Sequence, residues 1–292
     1  MPYIYTPHLL ALGSALFFGL ALVLTQFGLR RLSPLRGATV SVPVTTALFL
    51  VLSPFVVDWG GWDLRAVAVF AAVGCLFPAS VTLLTFQANR RIGPHLTGAL
   101  GNLTPLFAVG FAAIMLGELP RPGQGLGIGV IVVGATLLFT TRNTVGGDWP
   151  RWALLLPLAA ALIRGLIQPA VKFGMQSWPD PFAAVLFGYL VSTGVVVAVG
   201  ALGDRAEPSA GDGRGRLWFA AVGLCNGLAV LILYAALARG PVALVAPLVA
   251  SYPLATLAFG ALLLGRVNLD RRVVAGVVVT VAGVAVLLAA SG

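Results

Sequence analysis

The sequence predicts an all-α integral membrane protein of ten transmembrane helices, built as two inverted five-helix repeats over residues 1–146 and 147–292. Three observations predict it. Hydrophobic residues make up 59% of the 292 and charged residues only 9%, with mean hydropathy +1.00, more apolar surface than one soluble core of this size buries. Apolar stretches of bilayer-spanning length, about 20 residues, recur between charged and Pro/Gly breaks. A register of short matches also returns about half a chain apart.

The stretches fall near 8–28, 37–57, 66–88, 96–117, 124–141, 152–174, 182–202, 217–238, 242–264 and 273–290. Each is continuously apolar, without the alternation of a strand that has a polar lumen face, so helices are favoured over a barrel. The first has no Lys or Arg before it, and its first basic pair, Arg30-Arg31, follows it. It is therefore expected to stay as a membrane helix rather than be cleaved as a signal peptide.

The pentapeptide FAAVG occurs at Phe70–Gly74 and again at Phe219–Gly223. Other positions keep nearly the same offset. Gly93-Pro94 matches Gly240-Pro241, Pro105-Leu106 matches Pro253-Leu254, Leu116-Gly117 matches Leu264-Gly265, and Gly134 matches Gly283. The first helices match through Gly19 with Gly165 and Gly28 with Gly174. An internal duplication is the simplest reading. Five helices per copy send the second copy into the membrane from the opposite side. Many secondary transporters are built this way, with the substrate site near the midplane between the halves.

The start of helix one, LeuGlySerAlaLeuPhePheGly, the Gly93-Pro94 start of helix four, the mid-helix Pro105 and the LeuGlyGlu ending at Glu118 complete a pattern. Together with the two five-helix repeats, the chain resembles the drug/metabolite transporter superfamily, in particular its EamA-like branch, over nearly its whole length. In the second repeat Arg266 stands where the first has Glu118, a departure from the acidic residue common there. The resemblance implies transport of a small metabolite such as an amino acid by alternating access, with export the favoured direction. It further implies a multi-pass protein of a bacterial inner (plasma) membrane, with proton coupling as one mode of energisation.

Ionisable groups inside membrane helices cost about 2.5 to 3.5 kcal/mol at the centre and default to a functional reading. Helix six carries Arg164, Gln168 and Lys172 at i, i+4 and i+8, along one face. Lys172 is the only lysine among 18 basic residues. Such a stripe suits a carboxylate or phosphate in a central cavity. The alternative is structural: Lys172 snorkels to the interface and Arg164 caps carbonyls freed by Pro169. No carboxylate lies mid-helix, and Glu118 sits at a helix end, which disfavours a proton-coupled exporter of lipophilic or cationic drugs. Neutral groups that could complete a substrate site are Gln87, Asn102, Asn226, Tyr234 and Tyr252, with interhelical hydrogen bonding as their other role. Pro105 and Pro253 hold matching places in helices four and nine, and paired interruptions point to a binding site or gate.

Other classes find less support. The Gly123–Gly129 run opens no strand-to-helix unit, so it is no nucleotide loop; its glycines fit helix packing, within the bundle or in a homodimer. The net charge of +9 sits beside helix ends and points to membrane orientation rather than nucleic acid. By loop, 13 Lys and Arg lie on one side and four on the other, which places both termini outside, whereas the resemblance implies cytoplasmic termini. Two cysteines, Cys75 and Cys225, read as free apolar residues, and two histidines make no metal cluster. No cofactor is expected. An enzyme would need positioned nucleophiles, acid/base pairs or metal ligands, and none is evident. The partners expected are the lipid bilayer and a small-molecule substrate.

Overall fold

The computed structural model describes residues 6–139, 150–203, 213–265 and 271–290. Asp148, Asp204, Glu207, Asp212, Arg266 and Asp270 lie outside them. The described residues form twelve α-helices and two short 3₁₀ turns, with no strand among them. The first repeat holds α1 (Thr6–Leu29), α2 (Pro34–Val56), α3 (Leu64–Leu76), α4 (Ala79–Gly101), α5 (Thr104–Leu116) and α6 (Pro122–Phe139). The second holds α7 (Leu155–Gly174), α8 (Pro181–Gly203), α9 (Gly213–Leu237), α10 (Val242–Val249), α11 (Tyr252–Leu264) and α12 (Arg271–Ala289).

Seven helical stretches are long and apolar enough to cross a membrane, and Thr104–Leu116, Pro122–Leu137 and Val273–Ala289 are shorter apolar helices. Large apolar side chains face outward, among them Phe55 at 85% exposure and Ile114 at 82%. The interior holds many small residues, such as Ala11, Ala108, Ala112, Ala135 and Ala183, beside rings such as those of Phe49, Phe70 and Phe219. That distribution suits lipid as solvent, where close packing of small residues, and not apolar burial, holds helices together.

Two apolar stretches are interrupted alike. α5 begins at Thr104 with Pro105 in its first turn, and α11 begins at Tyr252 with Pro253 in its first turn. The predicted mid-helix prolines thus each follow a break in the helix, at Asn102-Leu103 and Ala250-Ser251. Proline is tolerated there because its missing N–H needs no partner. Both half-helices end on a glycine in the left-handed region, Gly117 at φ 68° and Gly265 at φ 62°, a conformation that only glycine enters without steric cost.

The predicted start of a helix at Gly93-Pro94 is not observed, because α4 runs unbroken to Gly101. The break falls earlier, at extended Phe77 before Pro78, where the proline ring disfavours helical geometry in the preceding residue. The matching Gly240-Pro241 does separate α9 from α10. At the second-repeat break the freed backbone groups have partners, as a membrane protein must satisfy them internally. Lys172 Nζ donates to Gly240 O and Val242 N–H donates to Glu118 Oε2, both at 2.7 Å. By sequence register, the counterpart of Glu118 for Gly93-Pro94 is Arg266 of the second repeat, a residue type that carries no acceptor.

Packing exchanges under the repeat offset. α1 packs on α9 and α11, while α7 packs on α3, α4 and α5; α2 meets α8, and α6 meets α12. A β-carbon on Gly19 would stand 2.6 Å from Ala255 Cβ, and one on Gly165 would stand 2.5 Å from Phe107 Cβ. On the α6–α12 seam, Gly134 is pressed against the Thr280 backbone and Gly283 against that of Ile131. Gly127 also packs on Leu287 of α12 and Gly123 on Ala290 just past it, whereas Gly125 and Gly129 face open space. The repeated FAAVG has the same explanation: the buried rings of Phe70 and Phe219 lie against Gly174 and Gly28, the positions already matched in sequence.

Candidate functional site

α7 is the element around which the polar groups gather, because it packs against α3, α4 and α5 of the other repeat. Arg164, in its middle, is partly buried and donates from Nη2 to Thr85 Oγ1 of α4 across a long 3.4 Å. The phenol of Tyr252, the first residue of α11, lies within electrostatic range of the guanidinium. Tyr252 sits at the second-repeat break, so Arg164 is placed between one helix of the first repeat and the interrupted helix of the second.

Two buried amides carry unpartnered atoms. Asn102, at the first-repeat break, is 1% exposed with neither Oδ1 nor Nδ2 hydrogen-bonded, and Gln168, one turn beyond Arg164, is 6% exposed with Oε1 unpartnered. An unpartnered buried polar group costs about 1–3 kcal/mol. Such groups mark places where fold stability is not the only constraint.

The predicted α7 stripe divides in two. Lys172 lies eight residues from Arg164, about 12 Å along the axis, and its ammonium is held at the bundle end by Glu118 at 2.5 Å and by Gly240 O. The ammonium thus does reach the bundle end, and there it is paired with a carboxylate. Glu118 is accordingly not an isolated surface carboxylate. The described hydrogen bond of Arg164 likewise goes to a side chain, Thr85, and not to a carbonyl freed by Pro169.

The remaining candidates are dispersed. Gln87 is exposed on α4, about 200° around the helix from Thr85, the residue that does meet Arg164. Tyr234 on α9 is buried within electrostatic range of Tyr189, whose ring packs edge-on to Phe49 at 5.7 Å. Asn226, two turns before Tyr234, is half-buried. Sequence reasoning missed Thr85, since a threonine in an apolar helix carries no signal of its own. It also missed the Glu118–Lys172 pair, although the single lysine was a pointer.

The model of the EamA-like transporter family matches the chain twice, over residues 6–140 and 151–289. The chain belongs to the EamA-like transporter family. One solved crystal structure superposes on it with a TM-score of 0.77 at 19% identity, covering 96% of this chain and 95% of its own, a likeness in fold alone. Comparison with curated proteins gives no match. As an EamA-like membrane protein it presents a pocket at each end of the bundle. One of about 450 Å³ is lined by Phe27, Arg30, Arg31 and Trp218, with Phe27 and Trp218 stacked at 4.9 Å. The other, of about 330 Å³, lies beside Glu118 at the α10 end.

Proposed function

We propose that this protein is a secondary carrier of a small carboxylate-bearing metabolite, an amino acid or an organic anion, in a bacterial plasma membrane. Its ten spans form two inverted halves that rock about a central site, with export the favoured direction. Arg164 orients the carboxylate, Thr85 and Tyr252 flank it, and Asn102 with its unpartnered amide and Gln168 with its unpartnered carbonyl oxygen meet the polar remainder. The breaks before Pro105 and Pro253 give the interrupted helices their freedom to move.

One observation carries the reading: a guanidinium in the middle of a membrane helix is met by the hydroxyl of Thr85. A neutral hydroxyl leaves the charge uncompensated, and an anionic ligand would compensate it. The described carboxylates argue against a cationic substrate, because each has structural work. Asp58 and Asp63 accept from Gly60 N and Ala66 N, Asp180 accepts from Phe182 N and Ala183 N, and Glu118 is paired with Lys172.

The test is a thermal-shift screen of wild type and Arg164→Ala against amino acids, organic acids and lipophilic cations, since a ligand of the native state raises its Tm. Acids or zwitterions are expected to stabilise wild type and not the variant. Stabilisation by cations that survives the substitution would contradict the assignment.

A further inference from the structure

At the end of the bundle where α5 and α7 finish and α10 begins, three elements meet on one carboxylate. Glu118 follows the left-handed Gly117. Its Oε1 lies 2.5 Å from Lys172 Nζ, and its Oε2 accepts from Val242 N–H at 2.7 Å. Lys172 also donates to Gly240 O. The carboxylate comes from the first repeat, and the groups that hold it come from the second. An ammonium and the first amide of α10 thus bind one oxygen each, a clamp of charge-assisted hydrogen bonds.

The clamp is open to a ligand. The two side chains are 19% and 21% exposed, and the adjoining cavity of about 330 Å³ is lined by Glu118, Gly240 and Pro241 together with His8, Arg121 and Arg239. That volume falls in the range of small-molecule pockets. Arginines around a single carboxylate draw anions toward it.

We propose that Lys172 and the N-terminus of α10 form a carboxylate-binding subsite, occupied in this structure by Glu118, and that the carboxylate of a solute in the adjoining cavity takes Glu118's place. This rests on the carrier reading above. The exchange conserves charge at Lys172: one carboxylate leaves as another arrives, so the ammonium is never left unpaired. Glu118 swings on Gly117 into the cavity, toward Arg121 and Arg239. Its departure also releases this polar tie between the first repeat and α7 and α10, leaving the packing of α7 on α3, α4 and α5. The device is one-sided, because the repeat register puts Gln26 in the place of Lys172 and Arg266 in the place of Glu118. The opposite end has neither the ammonium nor the carboxylate at those positions.

The experiment measures benzoate binding to the purified full chain by titration calorimetry, with benzylamine as the cationic control. Glu118→Gln removes the internal competitor and is expected to bind benzoate roughly tenfold tighter than wild type, with no gain for benzylamine. Adding Lys172→Gln removes the gain. The gain persists in an Arg164→Ala background, which separates this subsite from the central site: loss there alone would overturn the subsite while leaving the carrier reading in place. A folded Glu118→Gln that binds benzoate no tighter than wild type, or a gain that survives Lys172→Gln, also overturns it. If Glu118→Gln does not fold, Glu118→Asp loosens the clamp while keeping the charge. It is expected to gain in the same direction, and affinity equal to wild type contradicts the proposal.

Discussion

The hydroxyls of Thr46 and Thr193 lie 2.7 Å apart, and a shift of 147 residues carries one position onto the other. They join α2 to α8, helices that occupy matching places in the two repeats. One residue away the relation recurs: Ser192 donates to Gly74 O at 2.6 Å, and Thr45 Oγ1 lies beside Gly223, the other FAAVG glycine. The repeat therefore sets polar contacts between the halves as well as the packing.

Thr46→Val and Thr193→Val are each expected to lower stability by about 1 kcal/mol. Their effects should not add, because either substitution removes the shared hydrogen bond. Thermal unfolding of both single variants and the double variant in detergent measures the coupling. Full additivity would show that the hydroxyls act separately.

Gly19→Val and Gly165→Val should each destabilise by roughly 2 kcal/mol or more, since their β-carbons would overlap Ala255 and Phe107. Gly110 supplies the control, with nothing within 4 Å of a β-carbon there. Gly110→Ala should be neutral or stabilising by up to about 1 kcal/mol, as helix propensity alone is at stake. Comparing unfolding midpoints of the three variants checks the contrast.

Asn102→Leu should raise stability and lower ligand affinity together. The substitution deletes two buried polar atoms that have no partner, a relief of about 1 kcal/mol. A melting curve with and without a stabilising acid from the screen reads both effects. A destabilised variant with unchanged ligand response would make Asn102 a packing residue.

Lys172→Gln leaves the Glu118 carboxylate without its counter-charge and should cost about 1–3 kcal/mol. The double variant with Glu118→Gln should recover most of that loss, because no unpaired charge remains. Chemical or thermal unfolding of the three variants measures the recovery.

Much of the architecture was legible because it follows from composition and register. Apolar stretches of spanning length announced helices, and the matched glycines Gly19 and Gly165, or Gly134 and Gly283, proved to be places where two backbones touch. The helix breaks were less legible. Gly-Pro is chemically the same at Gly93 and Gly240, yet α4 runs through the first and the helix stops at the second, where Lys172 and Glu118 meet the freed backbone groups. The site was legible by residue type and not by grouping. Helical spacing placed Arg164 and Lys172 on one face of α7, but it could not show that Glu118 reaches Lys172 or that Thr85 reaches Arg164. Both contacts join residues more than 50 positions apart and depend on how the repeats dock.

Counterflow into proteoliposomes tests the central claim most directly. Vesicles containing wild type, Arg164→Ala or Arg164→Lys are loaded with an unlabelled panel of amino acids and organic acids and then challenged with labelled members of that panel and with a labelled lipophilic cation. The account predicts exchange of at least one carboxylate-bearing solute by wild type, a loss of roughly a hundredfold in Arg164→Ala from removing a buried ionic contact, and partial retention in Arg164→Lys. Carboxylate exchange that is undiminished in Arg164→Ala, or exchange of the cation alone, would contradict it.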